Sequence, residues 1–189
     1  MRAFVGFFTT RNIYDHIERI KEESSNFLRG KWIEPQNLHM TFQFLGDINQ
    51  KQAISVIQNL QRIAESSSPF KVQYRSLGVF PDKKRPRILW IGVSKGESRL
   101  KRIATEVTRM NRSAGIRVDS KPFYPHVTIC RIKETDRKKL NVMMNKYKGF
   151  NFGEETVDRI ALISSSLTSI GPIYTVVEEF FFKQKEGTH

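Results

Sequence analysis

Residues 39–46 read His39-Met40-Thr41-Phe42-Gln43-Phe44-Leu45-Gly46, and residues 126–131 read His126-Val127-Thr128-Ile129-Cys130-Arg131. Each begins His-x-Thr and alternates polar with apolar residues, the period of a strand with one face in a core and one outside it. The surroundings repeat as well. After the first motif a helical pattern over about 50–65 places Ala53, Ile54, Ile57, Leu60, Ile63 and Ala64 on one face, and strands follow from Phe70. After the second, a short helix over about 136–146 leads to strands from about Phe152. The two histidines stand close to half a chain apart. A repeat is a structural statement before a functional one. A duplicated unit with pseudo-two-fold symmetry would carry both His-x-Thr strands to one central cleft.

Outward from these motifs the chain alternates short strands with amphipathic helices. Residues 2–9 read as a strand and 12–28 as a helix, with Ile13, Ile17, Ile20, Phe27 and Leu28 near helical spacing. Strands are expected at 70–80 and 87–93, split by the charged turn Pro81-Asp82-Lys83-Lys84-Arg85-Pro86. A helix over about 98–114 has Leu100, Ile103, Ala104, Val107 and Met110 as its buried stripe. Strands follow at 124–132, 158–164 and 174–182, and the tail 184–189 is polar and expected to be loose. Most of the fourteen phenylalanines, Phe180-Phe181-Phe182 in particular, are expected in the core.

On an alternating strand His39, Thr41 and Gln43 share one face and Met40, Phe42 and Phe44 the other. Likewise His126, Thr128 and Cys130 lie opposite Val127 and Ile129, which puts Arg131 across from His126 unless a bulge or the strand's end turns it. The position matching Arg131 in the first motif is Phe44, so the halves are not interchangeable. Two imidazoles and two hydroxyls lining one cleft suit phosphodiester cleavage. The nucleophile must lose a proton and the leaving alkoxide must gain one, and a histidine of pKa roughly 6.5 serves either step. Threonine hydroxyls and a cation can meet the phosphate oxygens. His16 and His189 lack such a context and read as surface residues.

Composition bounds the rest. A chain of 189 residues, 39% hydrophobic and 27% charged, describes a globular domain over 1–183 rather than a disordered one. With 32 Lys+Arg against 19 Asp+Glu the net charge is +13, a field that draws polyanions. One cysteine excludes an internal disulfide and argues against a thiolate metal site, and Cys130 itself reads as a small buried hydrophobe. No apolar stretch nears the roughly 20 residues that cross a bilayer. The N-terminal apolar run is too short for a signal peptide, so a cytoplasmic protein is expected.

The paired motifs, with Asn37-Leu38 before the first and Phe44-Leu45-Gly46 within it, and Tyr124-Pro125 before the second with Cys130-Arg131 after, resemble the 2H phosphoesterases. Within that superfamily they resemble the RNA 2′,3′-cyclic phosphodiesterases, once called 2′-5′ RNA ligases. The resemblance implies a bilobal α+β fold, two antiparallel sheets lining a central cleft with helices outside. It also implies that His39 donates a proton to the departing 3′ oxygen and His126 deprotonates water. Thr41, Thr128 and Arg131 would hold phosphate oxygens, with no metal or other cofactor. The implied partner is RNA with a 2′,3′-cyclic phosphate end, opened to a 2′-phosphate by a monomer. Two alternatives stand beside it. One is a 2′-5′ RNA ligase or a phosphodiesterase for 2′-5′ linkages or small cyclic nucleotides; the other is a non-catalytic protein that docks RNA ends.

Overall fold

Strand β1 (Arg2–Phe8) is buried from Ala3 to Phe7, because it runs inside a sheet rather than along an edge. After it come a 3-10 turn, helix α1 (Tyr14–Ser24), strand β2 (Leu28–Trp32) and strand β3 (His39–Asp47). Helix α2 (Gln50–Glu65) leads to strands β4 (Phe70–Phe80) and β5 (Ile88–Val93), then helix α3 (Glu97–Ser113). Strand β6 (His126–Thr135), helix α4 (Arg137–Lys146) and strands β7 (Asn151–Val157), β8 (Arg159–Leu167) and β9 (Pro172–Phe181) complete the series. This computed structural model describes residues 1–118, 121–169 and 171–183. The expectations for residues 184–189 and for His189 lie outside the described residues.

The strands form two antiparallel sheets, ordered β3-β1-β8-β9 and β2-β6-β5-β4-β7. The repeat is therefore interwoven. The hairpin β4-β5, which follows the first motif, joins the sheet of the second motif; β8 and β9, which follow the second, join the sheet of the first. In both sheets the His-x-Thr strand pairs with the strand one helix before it, β3 with β1 and β6 with β5. The unit that recurs is strand, helix, His-x-Thr strand, helix. Helices α2 and α3 pack on each other, with α2 against β8 and β9 and α3 against β3. A single apolar cluster runs from Val5, Met40 and Phe42 to Leu89, Val127 and Ile129, joining both sheets through one core.

Local chemistry explains the helix ends. Asn49 and Gln52 form a reciprocal capping box at the start of α2, with backbone-to-side-chain distances of 2.9 and 3.0 Å. Asp136 accepts from the amides of Lys138 and Lys139 and starts α4. The helix expected over 12–28 is shorter. It ends at Ser24, where the polar run Ser24-Ser25-Asn26 turns the chain, and Leu28 begins β2 by pairing with Thr135. Sequence reading also placed His16 on the surface. Its ring is half-buried, edge-on to Phe150 at 5.4 Å and to Phe152 at 5.8 Å. Of the terminal phenylalanines Phe182 is buried as expected, whereas Phe181 faces outward with 60% of its surface exposed.

Candidate active site

Strands β3 and β6 are where the two sheets approach each other. His39 opens β3 opposite Phe8 of β1, and His126 opens β6 opposite Gly92 of β5. The imidazoles are held in the same way. His39 Nδ1 lies 2.6 Å from the carbonyl oxygen of Asn37, and His126 Nδ1 lies 2.7 Å from that of Tyr124. A carbonyl only accepts, so each Nδ1 carries the hydrogen and each Nε2 is left for the cleft. In the neutral ring Nε2 is a base; in the protonated ring it is an acid.

Burial holds both histidines below the usual imidazole range, opposed in each case by the hydrogen bond to the carbonyl. For His39 the positive charge of Arg131 and the proximity of His126 lower it further. That coupling joins His39 of one sheet to His126 and Arg131 of the other in a single electrostatic site.

The strands also share a defect. Across the β1–β3 ladder Val5 faces Gln43 while Gly6 faces Thr41, so Phe42 is an extra residue. Across β5–β6 Leu89 faces Cys130 while Trp90 faces Thr128, so Ile129 is an extra residue. A bulge thus sits at the fourth position of both motifs. It resets the alternation. Phe42 and Gln43 are both buried and Phe44 emerges; Ile129 and Cys130 are both buried and Arg131 emerges. Strict alternation had put Gln43 and Cys130 beside the histidines and Arg131 opposite. The structure reverses these three: Arg131 joins the face of His126 and Thr128, and Phe44 joins that of His39 and Thr41.

Buried Cys130 has its thiol pushed up to about 12 by desolvation, which removes it as a nucleophile. Gln43 instead accepts from Asn111 at 2.8 Å, and Asn111 accepts from Asn59 at 3.1 Å, a chain of buried amides tying the bulged strand to α3 and α2. The Gln43 amide nitrogen and the Trp90 indole nitrogen are buried without a protein partner among the described residues.

Aromatic rings frame each histidine, a feature the sequence reading did not resolve. His39 is 4.9 Å from Phe4 and 4.9 Å from Tyr174; His126 is 4.9 Å from Phe80 and 6.0 Å from Trp90. The basic turn between β4 and β5 is an exposed loop in which Asp82 accepts from the amides of Lys84 and Arg85. A surface groove elsewhere, lined by Phe27, Val142, Met143, Lys138, Lys139 and Lys146, contains neither motif. Among the described residues no three His, Cys, Asp or Glu side chains gather as a metal site, and no helix is long and apolar enough to cross a membrane.

Comparison with known proteins matches this arrangement. The family model of LigT-like phosphoesterases fits the chain twice, over residues 8–90 and 91–174, one copy around each motif. An RNA 2′,3′-cyclic phosphodiesterase of Aquifex aeolicus is 60% identical over 182 residues, covering 96% of this chain and 97% of that protein. One of Archaeoglobus fulgidus is 34% identical over 180 residues, covering 95% and 99%. Among solved structures, TT0787 of Thermus thermophilus superposes with a TM-score of 0.80 at 26% identity, covering 98% of this chain and 100% of that one. Escherichia coli LigT complexed with 3′-AMP shares the fold at a TM-score of 0.78 and 21% identity, covering 97% and 98%.

Proposed function

The chain belongs to the LigT-like phosphoesterases, and from that premise and the geometry of the cleft we propose that it opens RNA 2′,3′-cyclic phosphate ends to 2′-phosphates with His39 and His126 as acid and base. The observation that carries this reading is the pair of imidazoles on opposed strands, each tethered through Nδ1 to a backbone carbonyl with Nε2 left for a reacting proton. Neutral His126 takes a proton from water as the oxygen attacks phosphorus. Protonated His39 gives its Nε2 proton to the 3′ oxygen as the P–O3′ bond breaks. Each proton transfer contributes on the order of 10²–10⁴-fold. The hydroxyls of Thr41 and Thr128 and the Arg131 guanidinium donate to the non-bridging oxygens, where charge builds in the transition state.

One chain supplies both histidines, both threonines and the arginine, so a monomer suffices. Its +13 charge favours encounter with a polyanion in the cytoplasm, where RNA with such ends is expected. The test is chromatography of a short RNA bearing a cyclic phosphate end, incubated with the protein in EDTA. A 2′-phosphate product is expected. Activity abolished by the chelator and restored by a divalent metal would overturn the acid–base reading, and a 3′-phosphate product would overturn the assignment of His39 to the 3′ oxygen.

A further inference from the structure

The two motif strands match through the threonine and diverge two places beyond the bulge, where β3 carries Phe44 and β6 carries Arg131. The bulges bring both to the cleft face. Phe44 is 69% exposed there, an aromatic ring on a catalytic face with little of its own surface covered. It leans on Phe4 at 6.1 Å, and Phe4 lies 4.9 Å from His39 and edge-on to Tyr174 at 5.5 Å. Phe4, Ala161 and Ile163 form a buried cluster separate from the main core, with Phe8 and Tyr174 packed on it. The cleft face of the first sheet is thus floored with hydrocarbon around His39. At the matching place the second sheet presents a guanidinium.

In-line opening of the cyclic phosphate says which side of the phosphorus the nucleoside occupies. Water arrives from His126, so the departing 3′ oxygen points toward His39. The 2′ and 3′ oxygens belong to one ribose, so the sugar and its base also lie on the His39 side. The charged non-bridging oxygens are left toward Thr128 and Arg131. The difference between Phe44 and Arg131 then follows the chemistry of the substrate, an uncharged aromatic base on one side and an anion on the other.

We infer that Phe44 is the platform on which the terminal nucleobase of the substrate stacks, making it the residue that distinguishes nucleotide cyclic phosphates from those without a base. The inference rests on the reaction and histidine roles proposed above. Every base offers a π face, so the platform tolerates all four bases. The rival ring is Tyr124, 49% exposed, which packs on Trp90 at 5.1 Å and Phe80 at 6.0 Å on the side from which water comes.

The test compares kcat/KM for cytidine 2′,3′-cyclic phosphate with that for glycerol 1,2-cyclic phosphate, which keeps the reacting ring and lacks the base. In Phe44→Ala the ratio of the two falls by roughly 5- to 150-fold, the range of base–aromatic stacking, chiefly through KM. Phe44→Trp restores it, and in Tyr124→Ala the ratio holds. An unchanged ratio in Phe44→Ala, or a fall in Tyr124→Ala instead, overturns the inference and leaves the reaction standing. A wild-type protein that opens neither compound overturns the reaction, and the inference with it. Phe44 lies outside the main core, so matching thermal melts of wild type and Phe44→Ala verify that the fold is kept.

Discussion

Replacing Gly6 by alanine asks whether the spacing of β1 and β3 is what places His39 and Thr41. Gly6 faces Thr41 across the ladder. A Cβ there would lie 2.2 Å from the Met40 carbonyl oxygen, 3.2 Å from its carbon and 3.3 Å from the Thr41 Cα. All three are backbone atoms of the motif strand, so no side-chain rotation relieves the contact. Carbon and oxygen settle at about 3.3–3.6 Å, so β3 has to withdraw by roughly 1 Å between His39 and Thr41. A displacement of that size at a reacting group costs on the order of 10²-fold, and kcat/KM for a cyclic phosphate should fall by about that factor with both histidines present. Overpacking costs about 1–3 kcal/mol, which lowers Tm by roughly 2–12 °C at about 2–4 °C per kcal/mol for a chain of this size.

Gly115→Ala supplies the comparison. Gly115 has φ +75°, and a Cβ there meets nothing within 4 Å. Alanine in that conformation costs about 1–2 kcal/mol, yet the strain sits at the end of α3, away from the motif strands. Initial rates at 25 °C and melts by circular dichroism on the same preparations separate the two effects. Both variants should melt earlier, and only Gly6→Ala should lose turnover per folded molecule. Wild-type kcat/KM in Gly6→Ala would refute the idea that this ladder sets the site.

Further outcomes follow from the electrostatics. The acid limb of the kcat/KM profile belongs to protonation of His126 and the alkaline limb to deprotonation of His39. Both histidines are lowered, so the free-enzyme optimum should fall below about pH 6.5; a profile still rising at pH 8 would contradict this. A bound phosphate anion favours protonated His39, so the alkaline limb of kcat should lie above that of kcat/KM. Arg131→Ala should lower kcat/KM by on the order of 10²–10³-fold, and also shift the alkaline limb upward, because the repulsion that depresses His39 is gone. An arginine remote from His39 would leave that limb in place. Tyr74→Phe should destabilise by about 1–3 kcal/mol without changing turnover per folded molecule, because the hydroxyl donates to the buried Glu155 carboxylate. Burial holds that carboxyl above its ordinary range. It takes up a proton as the pH falls, so the deficit measured by urea unfolding should shrink from pH 7 to pH 5.

The motif strands were legible because their first four residues alternate, and α2 and α3 because their apolar stripes are long. Strand β2 was hidden. Leu28-Arg29-Gly30-Lys31-Trp32 lies at the edge of its sheet and buries only Leu28 fully, so no period of two marks it, and Phe27-Leu28 extended the helical spacing of α1. The interweaving of the sheets was equally out of reach. Which strand pairs with which depends on contacts between residues far apart in the chain, and local patterning is silent about them. Of the site, the histidines and threonines could be placed from strand period alone. Phe4, Tyr174 and Trp90 could not, since they reach the cleft from strands whose apolar residues read as ordinary core.

The bulge is what reconciles the two demands on each motif strand. An unbroken strand of this sequence would send Gln43 and Cys130 toward the cleft, and Phe44 and Arg131 into the core. Burying a guanidinium without a partner costs several kcal/mol, so Arg131 alone makes that register unfavourable. One extra residue at Phe42 and at Ile129 turns the strand after its threonine. The core then gains an additional side chain from each motif, and the cleft gains a sixth-position residue beside each histidine. Because the bulges are matched, the backbone of the site stays pseudo-symmetric while its chemistry does not. An acid with an aromatic neighbour faces a base with a cation, and a reaction that expels an alkoxide from one side of phosphorus as water enters from the other needs that inequality.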